Sequence, residues 1–128
     1  MKRRRLLVGL FAFVGGVACI AALYYLASSA PKFDRKAWLA GNNQAASSEA
    51  PRLRIADGLI ESGILLGKPR EFVGEMLGQE TQTGYFRKEY DAVYWLGPER
   101  GLMSIDSEWL VLKYDALNRV SVARIVRD

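Results

Sequence analysis

The sequence predicts an α+β fold in which two short helices pack on one face of a three-stranded antiparallel sheet (ααβββ), preceded by a single N-terminal transmembrane helix. Residues 52–77 contain two stretches with helical apolar spacing, and residues 85–126 contain three with strand features. Residues 6–27 carry no charge. Helices this short are not stable alone, so they need a sheet to cover. A meander is the simplest such sheet.

The N-terminal segment has the features of a membrane anchor. Leu6 to Ala27 (residues 6–27) forms an uncharged run, which as a helix is about 33 Å long and exceeds a hydrocarbon core of about 30 Å. The tail before it, residues 1–5, contains four basic side chains. Positive charge on that side predicts an N-terminus in the cytoplasm and an exported C-terminal domain. We therefore expect a single-pass protein of the cytoplasmic (inner) membrane.

Two alternatives remain open for this segment. Cys19 is the only cysteine in the chain, and lipidation there would make the protein an outer-membrane lipoprotein. Ala18 suits such a signal, whereas Gly16 stands where leucine is usual. Residues 27–29 (Ala-Ser-Ser) offer a cleavage site for a signal peptide, although the apolar run is longer than the ~7–15 residues of a typical signal.

Charge and composition exclude several functions. Residues 2–5 account for the whole net charge of +4, because the other basic residues equal the acidic ones at 14 each. A nucleic-acid-binding domain should carry a basic excess, so nucleic acid is not an expected partner. With no histidine and one cysteine, the chain has no Ser-His-Asp triad, no Cys/His zinc site and no intrachain disulfide. We expect no cofactor.

The chain divides into four predicted segments: the cytoplasmic tail 1–5, the anchor 6–27, a linker 28–51 and the α+β domain 52–128. The linker is polar and rich in small residues between residues 41 and 48, which is typical of flexible chain. Before that stretch, residues 33–39 place Phe33, Ala37 and Trp38 at helical spacing. This short piece is expected to lie on the membrane surface, to dock on the domain or to stay undocked.

Two helices open the predicted domain. The first spans residues 52–63, with one apolar stripe and a C-terminal stop at Gly63; the stripe consists of Ile55, Ala56, Leu59 and Ile60. The second spans residues 69–77 and ends at Gly78. Pro69 suits its first turn, because the N–H that proline lacks would be unbonded there.

Three strands follow, over residues 85–96, 109–114 and 120–126. Alternation in the first strand predicts one face made by Tyr90, Ala92, Tyr94 and Leu96, and another made by Val93 and Trp95. The second strand alternates in the same way, with one face made by Leu110, Leu112 and Tyr114. Asn118 is predicted to take a left-handed conformation in the last turn.

Two stretches resemble a known family. Residues 66–78 (LGKPREFVGEMLG) and residues 108–115 (EWLVLKYD), followed by the turn at Asn118, resemble the SmpA/OmlA, or BamE-like, family of small envelope lipoproteins. That family shares its two-helix, three-strand shape with the repeats of a β-lactamase inhibitor protein. The resemblance covers roughly residues 53–128, with Pro69 in place of a capping hydroxyl and Asn118 in place of a glycine. It implies a non-catalytic role in envelope assembly or maintenance.

The loop after the first strand is the candidate binding site. Residues 97–101 (Gly-Pro-Glu-Arg-Gly) have turn composition, and we expect Glu99, Arg100, Asp106 and Glu108 at one end of the sheet. They would contact an unknown envelope protein, or enter the cleft of an exported enzyme that the domain inhibits. The exposed sheet face and a sheet edge are the alternative surfaces for an envelope partner. Asp106 and Glu108 are two residues apart, which on a strand would put them on one face as candidate paired carboxylates for glycoside hydrolysis. A domain this small offers little cleft, so we do not expect an enzyme.

Overall fold

The structure is a computed structural model that describes residues 32–41, 50–101, 103 and 105–128. In chain order its elements are α1 (Arg35–Ala40), α2 (Pro51–Ser62), α3 (Arg70–Leu77), β1 (Ala92–Pro98), β2 (Ser107–Tyr114) and β3 (Val120–Arg127). β1 pairs antiparallel with β2, and β2 pairs antiparallel with β3. The sheet is therefore a meander with the order β1-β2-β3, and the predicted α+β class is confirmed.

The predicted anchor at residues 6–27, its basic tail and Cys19 lie outside the described residues. Within the described ranges, no helix is long and apolar enough to cross a membrane. Lys32–Asp128 is one compact unit. This unit includes α1, which the sequence assigns to the linker 28–51.

Trp38 docks α1 onto the domain. Its side chain is completely buried, and its Nε1 donates to the Leu77 carbonyl at the end of α3, at 2.8 Å. Its ring lies edge-on to Tyr94, with the ring centroids 6.1 Å apart. A six-residue helix is too short to be stable alone, so these contacts hold it. Of the three placements expected for this piece, the docked one is observed.

One face of the sheet carries the main apolar core. All three helices and all three strands contribute to it; the buried members from these elements are Trp38, Leu53, Ala56, Leu59, Val73, Leu77, Ala92, Tyr94, Leu96, Leu110, Leu112 and Val120. The predicted alternation of β2 is confirmed, because Leu110 and Leu112 face this core while Val111 lies in a different cluster.

A smaller apolar cluster covers the opposite face of the sheet. The predicted first strand, residues 85–96, was wrong in its first part. Residues 85–89 form a turn rather than a strand, closed by a hydrogen bond from the Tyr90 N–H to the Phe86 carbonyl at 2.9 Å. Phe86 has a φ of 60°, which an extended strand does not allow. As a result, Tyr90 packs with Val93 and Trp109, and not with Ala92 as predicted.

The start of α3 also differs from the prediction. Pro69 is extended, with φ −68° and ψ 156°, and the helix begins at Arg70. The chain before the helix pairs with the β2–β3 turn, because the Val120 N–H donates to the Lys68 carbonyl at 2.9 Å and the Arg70 N–H to the Asn118 carbonyl at 3.2 Å. This pairing needs extended backbone, so the helix cannot start earlier. Asn118 has a φ of 59°, the left-handed conformation that was predicted.

Candidate functional site

The β1–β2 loop (residues 99–106) is attached to the sheet by Glu108, a residue of β2. The Glu108 side chain is only 2% exposed. Arg100 donates its backbone N–H to Glu108 Oε1 at 2.9 Å and its Nη2 to Oε2 at 2.6 Å, and its Nε lies within 3.2 Å of both oxygens. A buried carboxylate without such donors is strongly unfavourable. The loop therefore has to keep Arg100 in this position.

Arg100 also connects the loop to the neighbouring elements. Its Nη1 and Nη2 donate to the two carboxylate oxygens of Asp57 on α2, at 2.5 and 3.1 Å. On the other side, Arg127 of β3 pairs with Glu99 at 2.6 Å and lies 3.8 Å from Glu108. Together these five side chains, here called the loop network, join the loop to α2, β2 and β3.

The loop network shifts the pKa of two of its members. Hydrogen bonds from Arg100 lower the pKa of Glu108 from its ordinary value and outweigh the opposing effect of burial. The hydrogen bonds that Arg100 donates to Glu108 and Asp57 raise the pKa of Arg100. Both groups are therefore ionised at neutral pH. A general acid or base works best with a pKa near the working pH, so this pair is suited to holding structure rather than to moving protons.

The four predicted site residues have different surroundings. Glu99, Arg100 and Glu108 are brought together in the loop network. Asp106 is exposed, and its backbone carbonyl accepts from the Glu99 N–H at 2.8 Å. Glu108 is not presented to solvent, because it is 1% exposed and bonded to Arg100. Asp106 and Glu108 thus do not form a pair of free carboxylates.

The tip of the β1–β2 loop exposes two apolar side chains that sequence reasoning missed. Met103 is 76% exposed and Ile105 is 75% exposed. Leu117 is equally exposed at 78%, but it lies in the β2–β3 turn at the opposite end of the sheet. The available sequence signal was the presence of apolar residues, Met103 and Ile105 among them, in a loop that is otherwise polar or rich in turn-forming residues.

Gly97 fixes the base of the loop against α2. It lies at a β-bulge in β1 and has a φ of 148°. A Cβ at this position would lie 2.6 Å from the Cβ of Ala50, which directly precedes α2. Only glycine permits so close an approach, and the loop therefore leaves the sheet from a constrained position.

Arg52 is a second buried charge that sequence reasoning missed. It is 2% exposed, and it donates Nε to the Trp38 carbonyl at 2.8 Å and Nη1 to the Trp95 carbonyl at 3.1 Å. Its guanidinium lies 4.5 Å from the centre of the Trp38 ring, and burial lowers its pKa. Arg52 precedes the buried Ala56 and Leu59 at helical spacing, so its place on the apolar stripe of α2 was the available signal. The side chain links α2 to α1 and β1.

Comparisons of the chain with protein-family models, with curated proteins and with solved structures find no match. The resemblance to the SmpA/OmlA family therefore stays a prediction. The candidate site has to be interpreted from its own geometry.

The lowered pKa of Glu108 predicts a pH-dependent contribution to stability. Because the folded-state pKa is lowered, this contribution is complete above the ordinary pKa of 4.5 and is lost as the pH falls through the folded-state value. Glu108→Gln should lower the free energy of unfolding at neutral pH by about 1–3 kcal/mol. Denaturant unfolding of the full chain in a neutral detergent, repeated at decreasing pH, should show this difference shrinking in acid.

Asp106→Asn is the matched control, because it removes an exposed carboxylate from the same loop. This variant should keep the wild-type dependence of stability on pH. If Glu108→Gln lowers the free energy of unfolding by as much in acid as at neutral pH, the role given to the ionised carboxylate is contradicted.

Proposed function

We propose that this chain is a membrane-anchored envelope protein whose exported α+β domain acts as a non-catalytic protein-interaction module in envelope assembly or maintenance. Residues 6–27 serve as the anchor, with the N-terminus in the cytoplasm. The β1–β2 loop is the docking element. The observation that carries the proposal is the exposure of Met103 and Ile105 at the tip of a loop whose base is fixed by the loop network.

The fixed base favours binding because less conformational freedom remains to be lost. Ordering loops and side chains at an interface costs free energy, and a preorganised element avoids part of this cost. Glu108 holds Arg100 through both backbone and side chain, and Gly97 fixes the departure of the chain from β1. The apolar tip is therefore displayed on a supported segment.

The chemistry of the tip indicates the kind of partner surface. Two mostly exposed apolar side chains match an apolar recess, which removes them from water on binding. Methionine is flexible and polarisable, and it adapts to irregular apolar surfaces. Asp106 and the part-exposed Arg100 provide a polar rim around such a contact. In this proposal, the charged residues of the predicted site support and surround the contact, and the apolar tip is its centre.

Photo-crosslinking in intact envelopes tests the docking element. A photoreactive amino acid at position 103 should give one discrete adduct with a partner, because this position enters the apolar recess. The same residue at position 117 is the matched control, since Leu117 is as exposed as Met103 but lies at the other end of the sheet. Adding Arg100→Ala should reduce the adduct from position 103, because this change releases the base of the loop.

The docking proposal fails under two results. Equal adducts from positions 103 and 117 would indicate contact that does not depend on the loop. An adduct from position 103 that is unchanged by Arg100→Ala would show that the loop network does not support the contact.

The anchor part of the proposal predicts the mass of the protein purified from its native membrane. The chain should retain its N-terminus, with or without the first methionine. A product that begins at Cys19 with added acyl mass would contradict the anchor in favour of a lipoprotein. Cleavage near Ser29 would contradict it in favour of a soluble exported domain.

A further inference from the structure

A cavity of about 480 Å³ lies between α3, the segment after that helix, and the strands β1 and β2. Its volume is in the range of about 300–1,000 Å³ that is typical of small-ligand sites. None of the residues that line it belongs to the β1–β2 loop or to the loop network. The cavity is therefore a separate feature from the docking element, and its role does not depend on the function proposed for the loop.

Arg70 brings an unopposed guanidinium to this cavity. Its Nε donates to Asn118 Oδ1 at 3.0 Å, and its guanidinium carbon lies 4.0 Å from the centre of the Tyr114 ring. These two contacts hold the group in position. Its terminal nitrogens, Nη1 and Nη2, make no hydrogen bond or ion pair with the part of the chain that the structure describes. Two donors of a positioned arginine are thus available to a ligand.

Among the residues that line the cavity, the charges balance except for one positive charge, while Glu71 and Asp91 lie near Tyr114 without lining the space. Arg87 and Glu80 also line it, and they pair with each other at 2.6 Å. Arg87 donates in addition to the Thr81 carbonyl at 3.0 Å. Two cations and one anion give the lining a single positive charge, which matches a ligand group with one negative charge.

Tyr114 adds a neutral donor to the same wall. Burial raises the pKa of its hydroxyl, so the group remains protonated at neutral pH. A protonated phenol can donate a hydrogen bond to an anionic oxygen. Tyr114 also carries the Arg70 guanidinium on its ring, so the two donors have a fixed relation to each other.

Gly74 keeps the cavity open. Glycine is less favourable than alanine inside a helix, and Gly74 lies within α3 without a positive φ. A Cβ added there would meet no atom within 4 Å. Neither the packing of the described residues around it nor its own backbone conformation therefore requires a glycine at position 74. Gly78, one turn further on, borders the same space. Because Gly74 lines the cavity and has open space beside it, a larger side chain there would extend into that space.

We propose that this cavity binds a carboxylate carried by an organic ligand, with Arg70 as its two-pronged partner and Tyr114 as a further donor. The planar edge of a guanidinium matches the two oxygens of a carboxylate. The single net charge of the lining matches a carboxylate, and Gly74 leaves room for the group that carries it. The source is either a free organic acid or the C-terminus of a peptide, because both present the same chemistry.

An NMR titration of the full chain in a neutral detergent tests the proposal with defined probes. N-acetyl-alanyl-alanine represents a peptide terminus, and benzoate represents a free acid. At least one of them should give saturable shifts of the Gly74 and Gly78 amides and of the Arg70 Nε–H, and the tighter of the two identifies the source. The uncharged N-acetyl-alanyl-alaninamide should give none, because it lacks the carboxylate.

Three variants separate binding from folding. Arg70→Gln should weaken binding by about ten- to a hundredfold, the effect of losing charge-assisted hydrogen bonds. Gly74→Leu should abolish binding by filling the space, while improving helix propensity and keeping the spectrum of a folded domain. Arg54→Gln removes an exposed arginine from α2 and should bind as the wild type does.

The proposal is overturned if neither carboxylate probe binds saturably, or if the amide binds as tightly as the acid. It is also overturned if folded Gly74→Leu retains wild-type affinity, since the probe would then bind elsewhere.

Discussion

The burial of one carboxylate determines the geometry of the loop end of this fold. Glu108 lies on β2 out of contact with water, and a buried charge needs donors close to both of its oxygens. Arg100 supplies them from its backbone and side chain. That requirement fixes the start of the β1–β2 loop, and the remaining bonds of Arg100 attach it to α2. Exposed charges contribute little on their own, so the position of Arg100 at the base of this loop depends on the buried member of the network, Glu108.

The helical layer depends on polar groups in a similar way. None of the three helices in the described part of the chain is long enough to be stable alone. Trp38 and Arg52 are buried side chains with polar groups at the junction of these helices. Trp38 satisfies a carbonyl at the end of α3, and Arg52 satisfies carbonyls of α1 and β1. The apolar core therefore supplies the driving force, while these bonds determine where each helix lies on the sheet.

Local patterns predicted the elements, and long-range contacts explain what was missed. The alternation of Leu110 and Leu112 was sufficient to place β2 and its faces, and glycine and asparagine marked the ends of helices and turns. Local pattern left three placements open for α1 and could not select the docked one, because Trp38 meets a carbonyl 39 residues away in sequence. Turn composition and charge singled out Glu99, Arg100 and Glu108 as candidate site residues, and the structure brings these three together in the loop network. The burial of Glu108 could not be foreseen, since its partner Arg100 is held in turn by Asp57 from α2, and Arg127 approaches from β3.

The central claim is that Glu108 fixes the base of the β1–β2 loop at Arg100, and hydrogen exchange of the Arg100 backbone N–H tests it most directly. This N–H should be protected in the wild type, because it donates to Glu108 Oε1. In Glu108→Met, which keeps the size of the side chain without its acceptors, the protection should disappear while the amide of Val111 in β2 stays protected. An Arg100 N–H that exchanges freely in the wild type, or that stays protected in Glu108→Met, would contradict the account.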